Sequence, residues 1–299
     1  MFRRGDNGQH TLLLNVYVDD CTLAGGSIVI QREFWQEFRQ KVRLEPEEYI
    51  SEKRTKILGR LHSVSRTPKQ ITMTMTYDMR SYAQGIIDLY CELSGTLQEK
   101  LKSAPPTPCL PELSMSDAGF MREGVLHKHA ARILMRCLWL SRMARPNISF
   151  AVGRLTTRVS KWTAWEDRQT LRLICYLTST RNHVFRASVD PNEKPELLVF
   201  ADSDFASCPH TCRSTSGVIY VIRTGEAYFP ILWSSRKPGS TAHSTTEAEL
   251  IAFASALFGE ALNLHAMAEY ITDMAVPVRF ESCNHSHSIW IQRKTAPSC

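Results

Sequence analysis

Apolar residues alternate with polar ones toward both ends of this chain, while the middle carries them at helical spacing. Leu12-Leu13-Leu14-Asn15-Val16 and Cys21-Thr22-Leu23-Ala24 read as two strands around a tight connection, and Gly25-Gly26 closes the unit, so a β-hairpin is expected. Phe34, Trp35, Phe38 and Val42 predict a helix over 31–43, stopped by Pro46. Residues 57–64 have the texture of one strand, and residues 71–75 alternate in polarity, so these two are expected to pair as a hairpin. A helix is predicted over 77–93, with Tyr82, Ile86, Leu89 and Tyr90 along one stripe.

Pro105, Pro106, Pro108 and Pro111 then appear among serines and threonines, which is linker composition. Beyond it, Ile133, Leu134, Cys137 and Leu138 mark one amphipathic helix. Pro146 sits where a first helical turn tolerates it, Ile148, Val152, Leu155 and Val159 mark a second helix, and a third covers about 165–177. Their Met and aromatic stripes are most simply core. From Pro195 strands return over 197–201, 217–222 and 231–233, followed by a helix over 246–270 and a further strand over 276–280. That order suggests a mixed sheet with a helix packed on it. The fold class is α/β in the broad sense, α+β more narrowly, with segments 1–102, 103–128 (the linker), 129–194 (helical) and 195–299.

Composition narrows the class. At 299 residues, 43% hydrophobic and 22% charged, the chain has room for about two ordinary globular domains. No apolar run stands out as a membrane span, and the first residues lack the apolar stretch of a signal peptide, so an intracellular protein without a membrane partner is expected. Nine scattered cysteines fit reduced thiols better than a disulfide framework. The net charge of +6 is unevenly placed: Arg142, Arg145, Arg154, Arg158, Lys161 and Arg172 fall in the helical segment, with few acids beside them. Clustered guanidinium groups suit a phosphate backbone, and a solvated helical face is the plainer alternative.

Two carboxylate groupings carry candidate chemistry. Asp19 and Asp20, in Tyr17-Val18-Asp19-Asp20, stand at the expected hairpin tip; hard carboxylate oxygens there suit Mg²⁺, and an ordinary Asp-Asp turn is the alternative. Asp202, in Phe200-Ala201-Asp202-Ser203-Asp204-Phe205, leaves the sheet at a strand end, where α/β sheets usually place chemistry. In Ser244-Thr245-Thr246-Glu247-Ala248-Glu249, a serine or threonine caps a helix, Glu247 suits its first turn, and Glu249 is left as the candidate ligand. Cys208-Pro209-His210-Thr211-Cys212, and Cys283 with His285 and His287, lack paired zinc-ligand spacing and read as loops. His243 beside Ser244 has no orienting carboxylate, so capping is preferred to a nucleophilic pair.

Taken in order, these motifs resemble copia-type LTR retrotransposon Pol polyproteins over nearly the whole chain. Leu14 through Gly26 resembles the polymerase hairpin of the reverse transcriptase, and Ile57-Leu58-Gly59-Arg60 falls where that family has a short Leu-Gly segment. Trp139-Leu140-Ser141-Arg142-Met143-Ala144-Arg145-Pro146-Asn147-Ile148-Ser149-Phe150 and Leu171-Arg172-Leu173-Ile174-Cys175-Tyr176-Leu177 resemble the region joining polymerase to nuclease. Ala201-Asp202-Ser203-Asp204-Phe205-Ala206, Arg213-Ser214-Thr215-Ser216-Gly217, Trp233-Ser234-Ser235-Arg236-Lys237 and Thr246-Glu247-Ala248-Glu249 resemble its RNase H domain.

The resemblance implies a partial reverse-transcriptase palm over 1–102, a thumb-like connection over 129–194 and an RNase H-like domain over 195–299. Asp19 and Asp20 match polymerase metal ligands, and Asp202 and Glu249 match the first two RNase H carboxylates. Mg²⁺ or Mn²⁺ would serve two-metal cleavage of RNA paired to DNA, with the basic helices gripping the hybrid's backbone. Partners would be an RNA/DNA hybrid and the remainder of a Pol polyprotein, in a cytoplasmic virus-like particle or the nucleus.

The chain also departs from that pattern. The family's upstream polymerase carboxylate and nucleotide-holding fingers precede the hairpin, so no autonomous polymerization is expected. The nearest counterpart of the third RNase H aspartate is Glu281, longer by a methylene, and the fourth acidic residue would fall beyond Cys299. Three readings follow: a nuclease-bearing Pol fragment, a catalytically dead nucleic-acid-binding remnant, and a decayed insertion.

Overall fold

The computed structural model describes residues 2–4, 11–18, 20–51, 53–66, 72–109, 122–208, 211–282 and 289–291. Three sheets and a helical layer account for them, a mixed α+β architecture.

The first sheet is antiparallel, in the order β1 (Phe2–Arg4), β2 (Thr11–Tyr17), β3 (Asp20–Ala24). Tyr17 pairs with Asp20, and Val18 adopts a left-handed φ of 55°. Leu12 and Leu14 are buried against Phe34 of α1 (Ile28–Arg39), whose start is capped by Ser27. Gly26, at φ +63°, lets the chain turn into that helix: a Cβ there would meet Leu12 Cδ2 at 3.0 Å.

The second sheet runs β4 (Thr55–Ile57), β5 (Arg60–Arg66), β6 (Met73–Asp78), β7 (Phe185–Val189), all antiparallel. The expected pairing of the two early segments is present, with Ile71 outside the described residues. The single strand expected over 57–64 is instead two, because Leu58 and Gly59 both take positive φ, 50° and 78°, as a two-residue primed hairpin turn requires. Strand β7 has no counterpart among the elements expected from the sequence.

The helical layer comprises α2 (Arg80–Ser94), α3 (Ala130–Met143), α4 (Ser149–Thr156) and α5 (Ala164–Ser179). Pro146 opens a short 3₁₀ turn before α4, and Thr163 and Glu166 form a reciprocal capping box at α5. One core unites these helices: Ile86, Ile133, Leu134, Leu140, Ile148, Val152, Leu173, Ile174 and Leu177 are all buried in it. It contains residues from both sides of the proline-rich 103–128 stretch, and β6–β7 pairing also crosses that stretch. Asp167 fastens the chain on re-entry, accepting hydrogen bonds from Leu126 N (3.2 Å), Trp162 Nε1 (2.8 Å) and Val125 N (2.5 Å).

The third sheet has the order β10 (Ala227–Arg236), β9 (Thr215–Thr224), β8 (Pro195–Asp204), β11 (Val278–Ser282), β12 (Ile289–Ile291). Only β8 and β11 are parallel, which demands a crossover. That crossover is α6 (Thr245–Ala256), a π-helical turn (Leu257–Ala261) and α7 (Leu262–Thr272). Ala248, Ala252, Ala256 and Ala261 are fully buried, and small side chains at that spacing let the helix lie close on Val199, Val218 and Phe280. Contrary to the expectation from apolar runs, 245–272 is one helix long and apolar enough, by length and composition alone, to cross a membrane. Its alanine stripe is spent on the sheet. Trp233 ties this sheet to the helical layer by donating from Nε1 to Ser141 O at 2.8 Å and by packing on Phe185, ring centroids 5.1 Å apart.

Candidate carboxylate and nucleic-acid site

Asp202 lies near the exit of β8, in register with Gly217 of β9, and is exposed. Glu249 sits in the first turns of α6. Ser244 Oγ accepts from Glu247 N at 3.1 Å, and the Glu247 carboxylate accepts from His243 N at 2.6 Å, so Glu247 is committed to the helix start and His243–Ser244 is a cap. Glu249, one residue after the buried Ala248, is half-buried. Its carboxyl is pushed above the usual glutamate range, first by burial and next by the negative charge of Asp202. Helix α6 packs on β8, so the two carboxylates stand on neighbouring elements from distant parts of the chain. Charge repulsion across such a pair is relieved by a cation between them.

Neighbouring acids do not extend the pair. Asp204 accepts hydrogen bonds from Ser207 Oγ and Thr215 N, which shapes the β8–β9 connection. Glu281 is in register with Phe200, two positions before Asp202, and its carboxylate pairs with Arg279 Nε at 3.2 Å. Among the described residues no group of three or more His, Cys, Asp or Glu side chains is arranged to hold a metal ion. The donor chemistry of Asp202 and Glu249 fits one hard divalent ion completed by water. At the first hairpin, Asp20 is exposed at the start of β3, and Asp19 lies outside the described residues.

The six basic residues have different fates. Arg142 is exposed at the end of α3. Arg145 is 4% exposed, and its guanidinium donates to Asn147 Oδ1 (3.1 Å), Thr180 O (3.2 Å) and Thr180 Oγ1 (2.6 Å), fastening the end of α5 to the α3–α4 junction. That burial lowers its pKa and withdraws it from any surface. Arg172 donates to Thr107 O at 2.9 Å and Thr107 Oγ1 at 3.1 Å, pinning the proline-rich stretch. Arg154, Arg158 and Lys161 line one cavity, together with Lys237, to which the sequence alone assigns no role. Its only sequence signal is its place in the Trp233-Ser234-Ser235-Arg236-Lys237 segment.

Of the residues weighed for zinc, Cys208 is buried with Lys237 Nζ at 2.8 Å from its Sγ, and Cys212 is exposed. Pro209, His210, Cys283, His285 and His287 lie outside the described residues.

The fold is a mixed α+β one, with Asp202 on its five-stranded sheet and Glu249 on the helix packed against it, and sequence comparison makes the chain a homologue of part of the retrotransposon Pol polyproteins. It is 24% identical over 243 residues to the retrovirus-related Pol polyprotein from transposon RE1 of Arabidopsis thaliana, covering 81% of this chain and 15% of that protein. The corresponding protein from transposon RE2 of the same plant is 23% identical over 243 residues, again with 81% and 15% covered. An uncharacterized mitochondrial protein of Arabidopsis thaliana is 29% identical over 123 residues, 41% of this chain and 49% of that protein. The match thus spans about 15% of the length of the two Pol relatives. No family model matches the chain.

Proposed function

We propose that this chain is a copia-type Pol fragment whose 195–299 segment is an RNase H-like nuclease, acting on the RNA strand of RNA/DNA hybrids with Mg²⁺ or Mn²⁺. The observation that carries this reading is that α6, which bears Glu249, packs on β8, which bears the exposed Asp202 at its exit; burial first, and the Asp202 charge second, raise the Glu249 carboxyl. A divalent ion would supply an activated water and charge neutralization at the scissile phosphate. The chain's own part is to hold Asp202 on a paired strand and Glu249 on a capped helix, so that neither carboxylate must reorganize as charge develops. Arg142 and the cavity cations Arg154, Arg158 and Lys161 supply backbone contacts without base readout. The segment before the linker is read as a partial palm that does not polymerize, and the remainder of a Pol polyprotein is its natural partner, in a virus-like particle or the nucleus.

The runner-up is a catalytically dead nucleic-acid-binding remnant. It is favoured by Glu281, which is out of register with Asp202 and engaged with Arg279. Incubating the purified chain with an end-labelled RNA/DNA hybrid and Mg²⁺ separates the two readings. Cleavage that disappears in Asp202→Asn supports the nuclease; no cleavage by the wild-type chain, or equal cleavage by the variant, rejects it.

A further inference from the structure

Between the helical layer and the exit end of the third sheet lies a cavity of about 230 Å³. Arg154, Arg158 and Lys161 wall it on the side of α4 and α5; Cys208, Thr211 and Lys237 wall it from the sheet, and Trp165 also lines it. Four cationic side chains converge there against one carboxylate, Glu166. That carboxylate is spoken for: buried, it accepts from Arg158 Nε at 3.1 Å and from Thr163 N at 2.8 Å as part of the helix cap. The cavity therefore keeps an excess of positive charge beside low-dielectric walls, the condition that concentrates an anion.

Its position gives the anion an identity. Asp202 of β8 is in register with Gly217, and Gly217 with Ser235 of β10. Lys237 follows two residues later, so the cavity opens at the same end of the sheet as the carboxylate pair. Adjacent strands lie about 4.8 Å apart, which puts β10 roughly 10 Å across from β8 at that row. One short stretch of duplex can span both.

We propose that this cavity seats a backbone phosphate of the nucleic acid lying across the sheet end, with Lys237 supplying the sheet's cation opposite those of α4 and the α4–α5 connection. The proposal rests on the nuclease reading for its ligand, and it adds a binding residue and a fixed anchor beside the carboxylates. Such a seat sets the register of the duplex over Asp202 without reading its sequence.

The test measures binding apart from cleavage: anisotropy of a labelled RNA/DNA hybrid with the full chain in EDTA, titrated across roughly 50–200 mM salt. Lys237→Gln and Lys161→Gln should each weaken binding several-fold and reduce the salt slope by about 0.9, as expected when one phosphate is no longer neutralized. Lys237→Arg should keep the slope, and Arg32→Gln, on α1 away from the cavity, should leave it unchanged. A slope for Lys237→Gln equal to that of Arg32→Gln overturns the proposal. So does competition by millimolar inorganic phosphate with no change of slope, which would assign the cavity to a small free anion. A reduced slope in Lys237→Gln with no hybrid cleavage by the wild-type chain would instead keep the seat and reject the nuclease.

Discussion

Lowering the pH should weaken the second sheet through His62. This ring is 7% exposed on β5, paired across the ladder with Tyr77, whose ring meets it edge-on at 5.0 Å between centroids. Arg60 Nε donates to His62 Nε2 at 3.0 Å, which requires that nitrogen to be an unprotonated acceptor. Arg60 is itself held by Met143 O at 2.9 Å and lies 4.1 Å from the Tyr77 ring centroid, so it cannot retreat cheaply. Burial first, and the Arg60 charge second, bring His62 down from 6.5 to about 4. A base depressed in the folded state contributes stability that is complete above pH 6.5 and drains as the pH falls toward 4, because the unfolded chain takes the proton first. Linkage over that interval gives about 2 kcal/mol lost by pH 5 and at most about 3 kcal/mol by pH 4, trimmed where the ring keeps solvent contact. Amide exchange in β5 and β6, corrected for intrinsic rate, should report this loss between pH 7.5 and 5. His62→Gln keeps an acceptor for Arg60 and removes the titration, so its loss should be smaller by about 1–2 kcal/mol. Equal losses in the two proteins would refute the assignment.

Two further outcomes follow from the geometry. Gly59→Ala should destabilize the β4–β5 hairpin by about 1 kcal/mol through its φ of 78° alone, since a Cβ there meets nothing within 4 Å; a urea midpoint unchanged from wild type would contradict this. Asp202→Asn should bring the Glu249 carboxyl back toward the ordinary range, and Mg²⁺ added to the wild-type chain should do the same; carboxyl-carbon NMR titration tests both, and a Glu249 curve indifferent to Asp202 would break the pair.

Much of this architecture was readable because local pattern and tertiary role agree. The first hairpin, the helices of the middle layer and the three long strands of the third sheet carry their period in plain view, and their burial follows it. Two of the misreadings, β7 and Arg145, depended on a partner far away in sequence, while another lies in a local turn. Residues 57–64 look like one strand because nothing local announces that Leu58 will take a left-handed φ; only the return of Arg60 onto Ile57 makes the break visible. Strand β7 has a weak pattern of its own and exists because β6 offers it an edge more than a hundred residues upstream. Arg145 belongs to a basic cluster along the chain, but the fold buries it on Thr180.

The third carboxylate is the sharpest instance, and it bears directly on the proposed nuclease. Read along the chain, Glu281 is the nearest acid at the expected place. Read across the sheet, parallel pairing is unforgiving: Glu281 falls beside Phe200, and a strand rises about 3.3 Å per residue, so its backbone is displaced by roughly 6–7 Å from the row of Asp202. A longer side chain recovers only part of that distance, and the Arg279 ion pair opposes the reach. A single hard ion, were Asp202 and Glu249 to hold one, would still be able to bind a phosphate. Two-metal hydrolysis asks for ligands that hold both ions, so the rate of hybrid cleavage relative to hybrid binding is the quantity that separates a working nuclease from a remnant that keeps only its grip. Ser282→Asp does not cure the register, since position 282 lies beside Ala201. Every position of β11 falls short of the row of Asp202, so an aspartate placed at any of them should leave hybrid cleavage no faster, and a gain at one of them would refute the register argument.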